Sequence, residues 1–291
     1  MTDHPIIKNV ERALDYIAVQ LNEDRAPHLD EVARESGISK FHFHRMFKLI
    51  TGESCAEVIT RLRLARGSAA LTDTSTSITE SAFIAGYGSS QAFAKAIKRE
   101  MGQSASEIRQ DAERLASTIQ TLCEPVDADN VQHIAPTRIE ICSLDPLDII
   151  LIHTKGVYLD LAETYGELWN LADNPADIVA VLGMPLHDIE TFEDPDFEFK
   201  SAIALSSSVS NFPDHMKRET IKGGEYLLVR HQGLDADIPK TLNALYAFVL
   251  ANPDITLSDT PCLHHYIDDP EEVEEARCRT DIYVRVEHIG Q

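Results

Sequence analysis

A short segment, residues 37–52, carries side chains that could read the edges of DNA bases. Arg45 can pair with two acceptors of guanine, and Phe41 can pack on a thymine methyl group. His44 and Lys48 share a helical face with these two residues, because all four recur at three- and four-residue steps. The opposite face is apolar and consists of Phe43, Met46, Phe47 and Ile50. The segment is therefore interpreted as a helix that reads DNA.

A second segment, at an offset of 50 residues, has comparable chemistry. Gln91 can form two hydrogen bonds with adenine, and Lys95 and Lys98 share its exposed side of the predicted helix. Ser89 or Ser90 is expected to cap this helix. The basic residues interpreted as phosphate contacts, which fix the register and make binding salt-dependent, are Lys48, Arg61, Arg66 and Lys98.

The two segments belong to one duplicated pattern. Capping boxes begin at Ser54, Ser77 and Ser104, and a long helix over residues 54–72 joins the two copies. Two reading helices about one duplex turn apart, roughly 34 Å, can enter the major groove of double-stranded DNA at two successive turns. Residues 1–112 are therefore predicted to form an all-α, duplicated helix-turn-helix domain.

The charge distribution agrees with a local DNA-binding surface. The net charge is −22, but residues 1–112 carry 14 basic against 15 acidic side chains, and the other 179 residues carry 12 against 33. Within residues 37–66 there are six basic and two acidic side chains. A polyanion is therefore expected to bind the first part of the chain, whereas the acidic second part favours cationic ligands.

The first part resembles the AraC/XylS-type transcription regulators over about residues 5–112. The motifs that carry the resemblance are Leu29-Asp-Glu-Val-Ala33, Gly37-Ile-Ser39, Phe43-His-Arg-Met-Phe-Lys48, Arg61-x-Arg63-Leu-x-Arg66, Ile84-Ala-x-x-Gly88 and Phe93-x-Lys95-x-x-Lys98. The resemblance implies base contacts from Phe41, His44 and Arg45 in the first reading helix, and from Ser90, Gln91 and Lys95 in the second. The chain departs from the family at Cys55 and Ala105, where proline is usual, and at Ala96-Ile97, where an aromatic residue or an Arg–Phe pair is usual.

The helical pattern is lost between the two parts of the chain. Residues 113–136 are predicted to be a linker, although 112–122 could extend the last helix, and the boundary is placed at Pro125–Pro136. Residues 137–291 then form a second domain. The fold class is therefore multidomain, with an all-α duplicated helix-turn-helix domain followed by an α+β domain.

The second domain also repeats itself. Gly156 matches Gly233 and Trp169 matches Tyr246, both at an offset of 77 residues. Short β-like runs surround a helix in each copy, which predicts two β-α-β-β units. Two such units normally build one sheet with a cleft along their pseudo-two-fold axis. We therefore expect a single ligand cleft between the repeats.

This second domain resembles the GyrI-like effector-binding domains. The resemblance rests on Gly156-Val-Tyr158, His231-Gln-Gly233, Tyr266-Ile-Asp-Asp-Pro270 and Arg279-Thr-Asp-Ile-Tyr-Val-Arg-Val286. It implies that Asp281, where Glu is more usual, binds a cationic or amphipathic small molecule. The aromatic residues expected near the acid, to contact a lipophilic cation, are Tyr158, Trp169, Tyr246, Tyr266 and Tyr283. Two alternatives stay open: Trp169 and Tyr246 could be core residues, and Asp281 could be a surface acid.

These observations together predict a transcription regulator that binds specific DNA sequences and a small-molecule effector, and that is not an enzyme. No cofactor or metal is expected, RNA polymerase is a further partner, and no membrane-spanning run is present. Five cysteines without a CxxC pair, and no signal peptide, indicate a cytoplasmic protein. The competing hypotheses are a GyrI-like hydrolase, using Asp281 with Tyr283, Tyr266 or His264, and an acidic protein-binding module.

Overall fold

The computed structural model describes residues 4–124, 138–156, 161–187 and 197–288. The chain divides into two compact units. One consists of Ile7–Ile38 and Met46–Val131, and the other consists of Gln132–Gln291 together with Met1–Ile6 and Ser39–Arg45. Within the described ranges, no helix is both long and apolar enough to cross a membrane.

The first part of the chain is helical, as predicted. Its helices are α1 (Pro5–Asn22), α2 (Leu29–Ser36), α3 (Lys40–Thr51), α4 (Cys55–Ala70), α5 (Ile78–Ile84), α6 (Ser90–Met101), α7 (Ala105–Gln110) and α8 (Ala112–Cys123). The three capping boxes are confirmed at Ser54, Ser77 and Ser104. Each serine hydroxyl accepts a hydrogen bond from the backbone N–H of the glutamate three residues on, and the carboxylate of that glutamate accepts one from the backbone N–H of the serine. Ser89, rather than Ser90, caps α6. Local sequence signals therefore fix where these helices begin.

The turn of each helix-turn-helix unit is built in the same way. Gly37 and Gly86 follow α2 and α5 with φ of +74° and +73°, a left-handed conformation that favours glycine. In the first unit, the Arg12 guanidinium donates to the carbonyl of Ser36. In the second, Arg63 of α4 donates to the carbonyls of Ala85 and Gly86. The duplication thus extends to an arginine that holds each turn.

Helix α8 extends the helical domain beyond the predicted boundary. Leu115 and Leu122 are buried in one apolar cluster with Leu64, Leu71 and Phe93. The assignment of this segment to the linker is therefore corrected, because its apolar face packs into the domain core. Residues 125–137 lie outside the described ranges.

The second part of the chain is an antiparallel sheet with two helices, which confirms the α+β class. Its strands are β1 (Ile139–Leu144), β2 (Leu147–Lys155), β3 (Ile178–Pro185), β4 (Glu198–Leu205), β5 (Met216–Ile221), β6 (Gly224–Gln232), β7 (Ile255–Leu257), β8 (Leu263–Tyr266) and β9 (Arg279–His288). The helices are α9 (Leu161–Trp169) and α10 (Ile238–Ala251). The strand order is β1-β6-β9-β8-β3-β4-β2-β5, and β7 pairs with β9.

Two β-α-β-β repeats account for this topology. The first is β2-α9-β3-β4, and the second is β6-α10-β8-β9 with β7 inserted. Gly156 and Gly233 end the first strand of each repeat with φ of +121° and +124°, so the two positions share an unusual backbone conformation. The repeats meet where β3 pairs with β8, at the centre of the strand order.

The two faces of the sheet have different roles. On the helix face, His231 of β6 bonds Thr241 of α10, and Ile203 of β4 packs with Leu168 of α9. Asp281 points to the opposite face because side chains alternate along a strand, and this side is called the Asp281 face. An apolar cluster of its own lies there: Ile149, Leu151, Leu182, Met184, Ala202, Ala204 and Leu263.

Candidate DNA-binding and effector-binding sites

Helix α6 presents the polar residues predicted for the second reading helix on one exposed side. Gln91, Lys95 and Lys98 are exposed, whereas Phe93 and Ile97 are fully buried. The buried pair fixes the rotation of the helix, because residues four apart lie on one face. The remaining predicted reader, Ser90, is half-buried as the first residue of the helix.

Helix α3 places its predicted readers in different environments. Lys48 is exposed, and Phe41 and His44 are half-buried. The Lys40 ammonium lies 5.0 Å from the centroid of the Phe41 ring. Phe43 is buried as the sequence predicts. Of these three predicted contacts, Lys48 is therefore the one that is exposed.

Arg45 lies in the same compact unit as helix α10 and contacts its first turns. Its Nη1 donates to the carbonyl of Pro239 and to Oδ1 of Asn243, both at 3.0 Å. Nearby, Nδ1 of the fully buried His42 lies 2.6 Å from the hydroxyl of Tyr246. In this arrangement Nη1 of Arg45 is used within its own compact unit, so this nitrogen is not available to guanine while the two bonds persist.

Two arginines predicted to bind phosphates are used inside the helical domain. Arg61 donates from Nε to both carboxylate oxygens of Glu53, at 3.0 and 2.9 Å, and from Nη1 to the carbonyl of Leu122 at 2.7 Å. Arg66 donates to the carbonyl of Leu21 and to the carboxylate of Asp24. Their guanidinium groups join α4 to α8 and to the end of α1, and phosphate binding by either residue stays a prediction.

Asp281 is buried and already paired with a cation. Its side chain is 7 % exposed, and Arg230 of β6, which faces it across the strand pair, donates from Nε to Oδ1 and from Nη2 to Oδ2, both at 2.7 Å. This hydrogen bond raises the pKa of Arg230. The sequence analysis missed Arg230, because its pairing with Asp281 depends on the register of two strands that lie 51 positions apart.

Three further side chains share the Asp281 face. Tyr283 lies two residues along β9, and its ring meets that of Tyr226 edge-on with centroids 6.3 Å apart. His265 of β8 faces Asp281 from the other side. Burial lowers the pKa of His265, while the carboxylate of Asp281 acts in the opposite direction. The structure thus places an arginine, one tyrosine and a neutral histidine beside a buried carboxylate, with Tyr226 packed behind that tyrosine.

The other aromatic residues predicted near Asp281 lie elsewhere, apart from Tyr158, which is outside the described residues. Tyr266 is on the helix face, because it pairs with Thr280 rather than with Asp281, and its ring packs on Tyr165 with centroids 6.0 Å apart. Trp169 is 37 % exposed at the end of α9, and Tyr246 is 1 % exposed within α10. The expected cluster is therefore corrected to Tyr283 among the described residues.

His264 occupies the helix face beside Gly183 and is 6 % exposed. Its Nε2 has no hydrogen-bond partner within the described ranges. Burial, with smaller contributions from Arg45 and His231, lowers its pKa from 6.5 to about 4. His264 is therefore neutral at pH 7, where its buried ring costs no charge desolvation.

Stability is expected to fall in mild acid because of His264. Between pH 6.5 and about 4, the unfolded chain binds a proton at this ring that the folded chain does not. The free energy of unfolding should therefore decrease as pH is lowered through this window, by at most about 3 kcal/mol. Denaturant titrations at several pH values give the free energy of unfolding, which should fall less steeply with decreasing pH for His264→Phe than for wild type. An identical pH dependence in the two proteins would contradict this assignment.

The fold and these two sites define a class: a helix-turn-helix protein with an antiparallel α+β domain that could bind a small molecule. Comparison with known families agrees. A GyrI-like small molecule binding domain matches residues 137–287, and a helix-turn-helix domain matches residues 32–111. The chain therefore belongs to the GyrI-like small molecule binding domain family, with an AraC-type helix-turn-helix domain in front.

Several individual proteins are similar to this chain. The right origin-binding protein of Escherichia coli (strain K12) is 23% identical over 236 residues, which cover 77% of this chain and 78% of that protein. The regulatory protein SoxS of Salmonella typhimurium is 34% identical over 86 residues, which cover 30% of this chain and 80% of that protein. Among solved structures, EcmrR in a complex with DNA is 13% identical, covers 94% of this chain and 95% of that chain, and has a TM-score of 0.46.

Proposed function

We propose that this chain is a one-component transcription regulator whose helical domain binds double-stranded DNA and whose GyrI-like domain binds an effector that changes DNA binding. The observation that carries the proposal is the union of two domains in one chain. The first has a duplicated helix-turn-helix with an exposed polar side on α6. The second has a buried carboxylate, Asp281, beside aromatic rings.

The DNA-binding part of the proposal uses α3 and α6 as the two reading helices. Base contacts would come from Phe41, His44 and Arg45 on α3, and from Ser90, Gln91 and Lys95 on α6. Lys48 and Lys98 are exposed at equivalent positions of the two copies, which suits them to phosphate contacts. Two such helices would occupy successive turns of the major groove, roughly 34 Å apart.

The effector-binding part of the proposal uses the Asp281 face. A buried carboxylate attracts a cation, and the half-buried ring of Tyr283 offers apolar surface and a π face to a lipophilic one. Residues 113–291 carry most of the net charge of −22, which adds a long-range attraction for cations. The effector class that fits is therefore cationic or amphipathic.

Regulation would follow from coupling between effector and DNA binding. An effector with different affinities for the DNA-competent and incompetent conformations shifts their populations, and DNA binding changes effector affinity by the same factor. In transcription activation, RNA polymerase would be a further partner of the DNA-bound chain.

The coupling can be tested with a duplex selected from a random-sequence library. Fluorescence anisotropy should show that a saturating lipophilic cation, such as tetraphenylphosphonium, changes the Kd of the full chain for this duplex by at least about five-fold. Asp281→Asn should keep the Kd measured without the cation but lose the change. If the cation binds the wild-type chain but its Kd for the duplex does not change, regulation through this domain is contradicted.

A further inference from the structure

The Arg230–Asp281 pair is strongly asymmetric in burial. The Asp281 side chain is 7 % exposed, whereas that of Arg230 is 55 % exposed. Both carboxylate oxygens receive one N–H each from the guanidinium, at 2.7 Å. The arginine therefore covers the carboxylate on its solvent side, and an external cation cannot reach both oxygens while this pair is intact.

The asymmetry makes the two partners unequal in what they lose when separated. Arg230 would return to water with little desolvation to recover, because its side chain is already more than half exposed. Asp281 would lose the two charge-assisted hydrogen bonds from Arg230, which is unfavourable unless another cation takes their place. The site therefore favours a cation against Asp281, but that cation need not be Arg230.

Other charged groups near Asp281 are unsuited to take this role. Arg279, on the same face, is held by Asp268 through Nε and Nη2 at 2.8 and 2.6 Å, and its backbone N–H bonds the same carboxylate. Hydrogen bonding to Arg279 lowers the pKa of Asp268 to about 2, so that pair persists at neutral pH. His265 faces Asp281 with a pKa lowered by burial and is neutral at pH 7.

We propose that Arg230 is a displaceable internal cation that determines which effectors bind at Asp281. An effector must replace the guanidinium on the carboxylate, and Arg230 then moves its charge into water. This inference rests on the proposed effector site on the Asp281 face and adds the residue that sets its selectivity.

The displacement selects for one class of cation. A metal ion or a simple ammonium is strongly hydrated and would lose that hydration on entering a site beside the half-buried ring of Tyr283. A weakly hydrated organic cation with aromatic surface loses little hydration free energy on entering the site. It also gains contacts with the tyrosine ring. Effectors are therefore expected to be delocalised organic cations rather than small hydrated ones.

Isothermal titration calorimetry of the full chain with tetraphenylphosphonium tests the displacement directly. Arg230→Gln should bind this cation at least about ten-fold more tightly than wild type, because the competing charge is gone. Adding Asp281→Asn to that variant should abolish the gain. Lys217→Gln, which removes an exposed basic side chain from the edge strand β5, is the matched control and should bind as wild type does.

A second variant tests the displacement even if Arg230→Gln fails to fold. Arg230→Lys keeps a cation against Asp281 but loses the two-bond geometry, so it should be displaced more easily and bind tetraphenylphosphonium about three-fold more tightly. Equal affinity in wild type, Arg230→Gln and Arg230→Lys would overturn the displacement while leaving an effector site in place. No binding to any of them would overturn the cationic effector itself, and this inference with it.

Discussion

Replacing Gln91 and Lys95 together by alanine is expected to lower the affinity for a selected operator by about 100-fold. Each side chain lies on the exposed side of α6 and is positioned by the buried Phe93 and Ile97. A good base contact contributes about 1–3 kcal/mol to discrimination between bases, so the fold-losses in affinity from two missing contacts multiply. The neighbours Ala92 and Ala94 carry no polar group that could compensate. Anisotropy titrations with specific and scrambled duplexes give both Kd values.

The comparison with scrambled DNA separates base reading from general attraction. The double variant should lose most of its preference for the operator but keep the part that α3 supplies, and its Kd for the scrambled duplex should stay unchanged because phosphate contacts such as Lys98 remain. Gln110→Ala at the exposed end of α7 is a matched control and should leave both Kd values unchanged. A double variant that keeps the full wild-type preference for the operator would show that α6 does not read bases.

Gly67→Ala is expected to destabilise the helical domain, although alanine is normally the better helix residue. A Cβ at position 67 of α4 would lie 2.5 Å from the Phe93 ring and 2.7 Å from Cβ of Ala85. Both neighbours are buried and cannot move away, so overpacking should cost about 1–3 kcal/mol. This exceeds the gain in helix propensity of roughly 1 kcal/mol.

The same substitution elsewhere supplies the control. A Cβ at Gly166 in α9 would meet no heavy atom within 4 Å, so Gly166→Ala should stabilise its domain by about 0.5–1 kcal/mol. Denaturant unfolding can separate the two effects, because far-ultraviolet circular dichroism follows the helical domain and the single tryptophan, Trp169, reports on the second domain. Equal stabilisation by both substitutions would contradict the packing of α4 against Phe93.

Local sequence signals predicted much of the helical domain. Serine caps, glycine turns and apolar periodicity depend on residues within a few positions of each other, and these features are confirmed at Ser54, Ser77 and Gly86. The 50-residue repeat then predicted a second helix at the place where the structure has α6, and its role in reading DNA stays a prediction. The uses of Arg61 and Arg66 were not predictable in this way, because their partners come from distant parts of the chain.

The effector site illustrates the corresponding limit in a sheet. The strand pattern placed Asp281 and Tyr283 together, since residues two apart share a face. Whether Tyr266 joins them depends on strand register, and a pairing with Thr280 puts it on the other face. Register likewise brings Arg230 opposite Asp281. One residue of slip would reverse both conclusions, and no local signal specifies it.

The central claim is that two helix-turn-helix units of one chain bind one DNA site. Footprinting on a duplex selected from a random library by the full chain tests it most directly. We expect two protected segments on one side of the duplex, centred about 10 base pairs apart, with the Gln91→Ala/Lys95→Ala variant losing only one of them. A single protected segment for the wild-type chain, or selection that enriches no sequence, would contradict the claim.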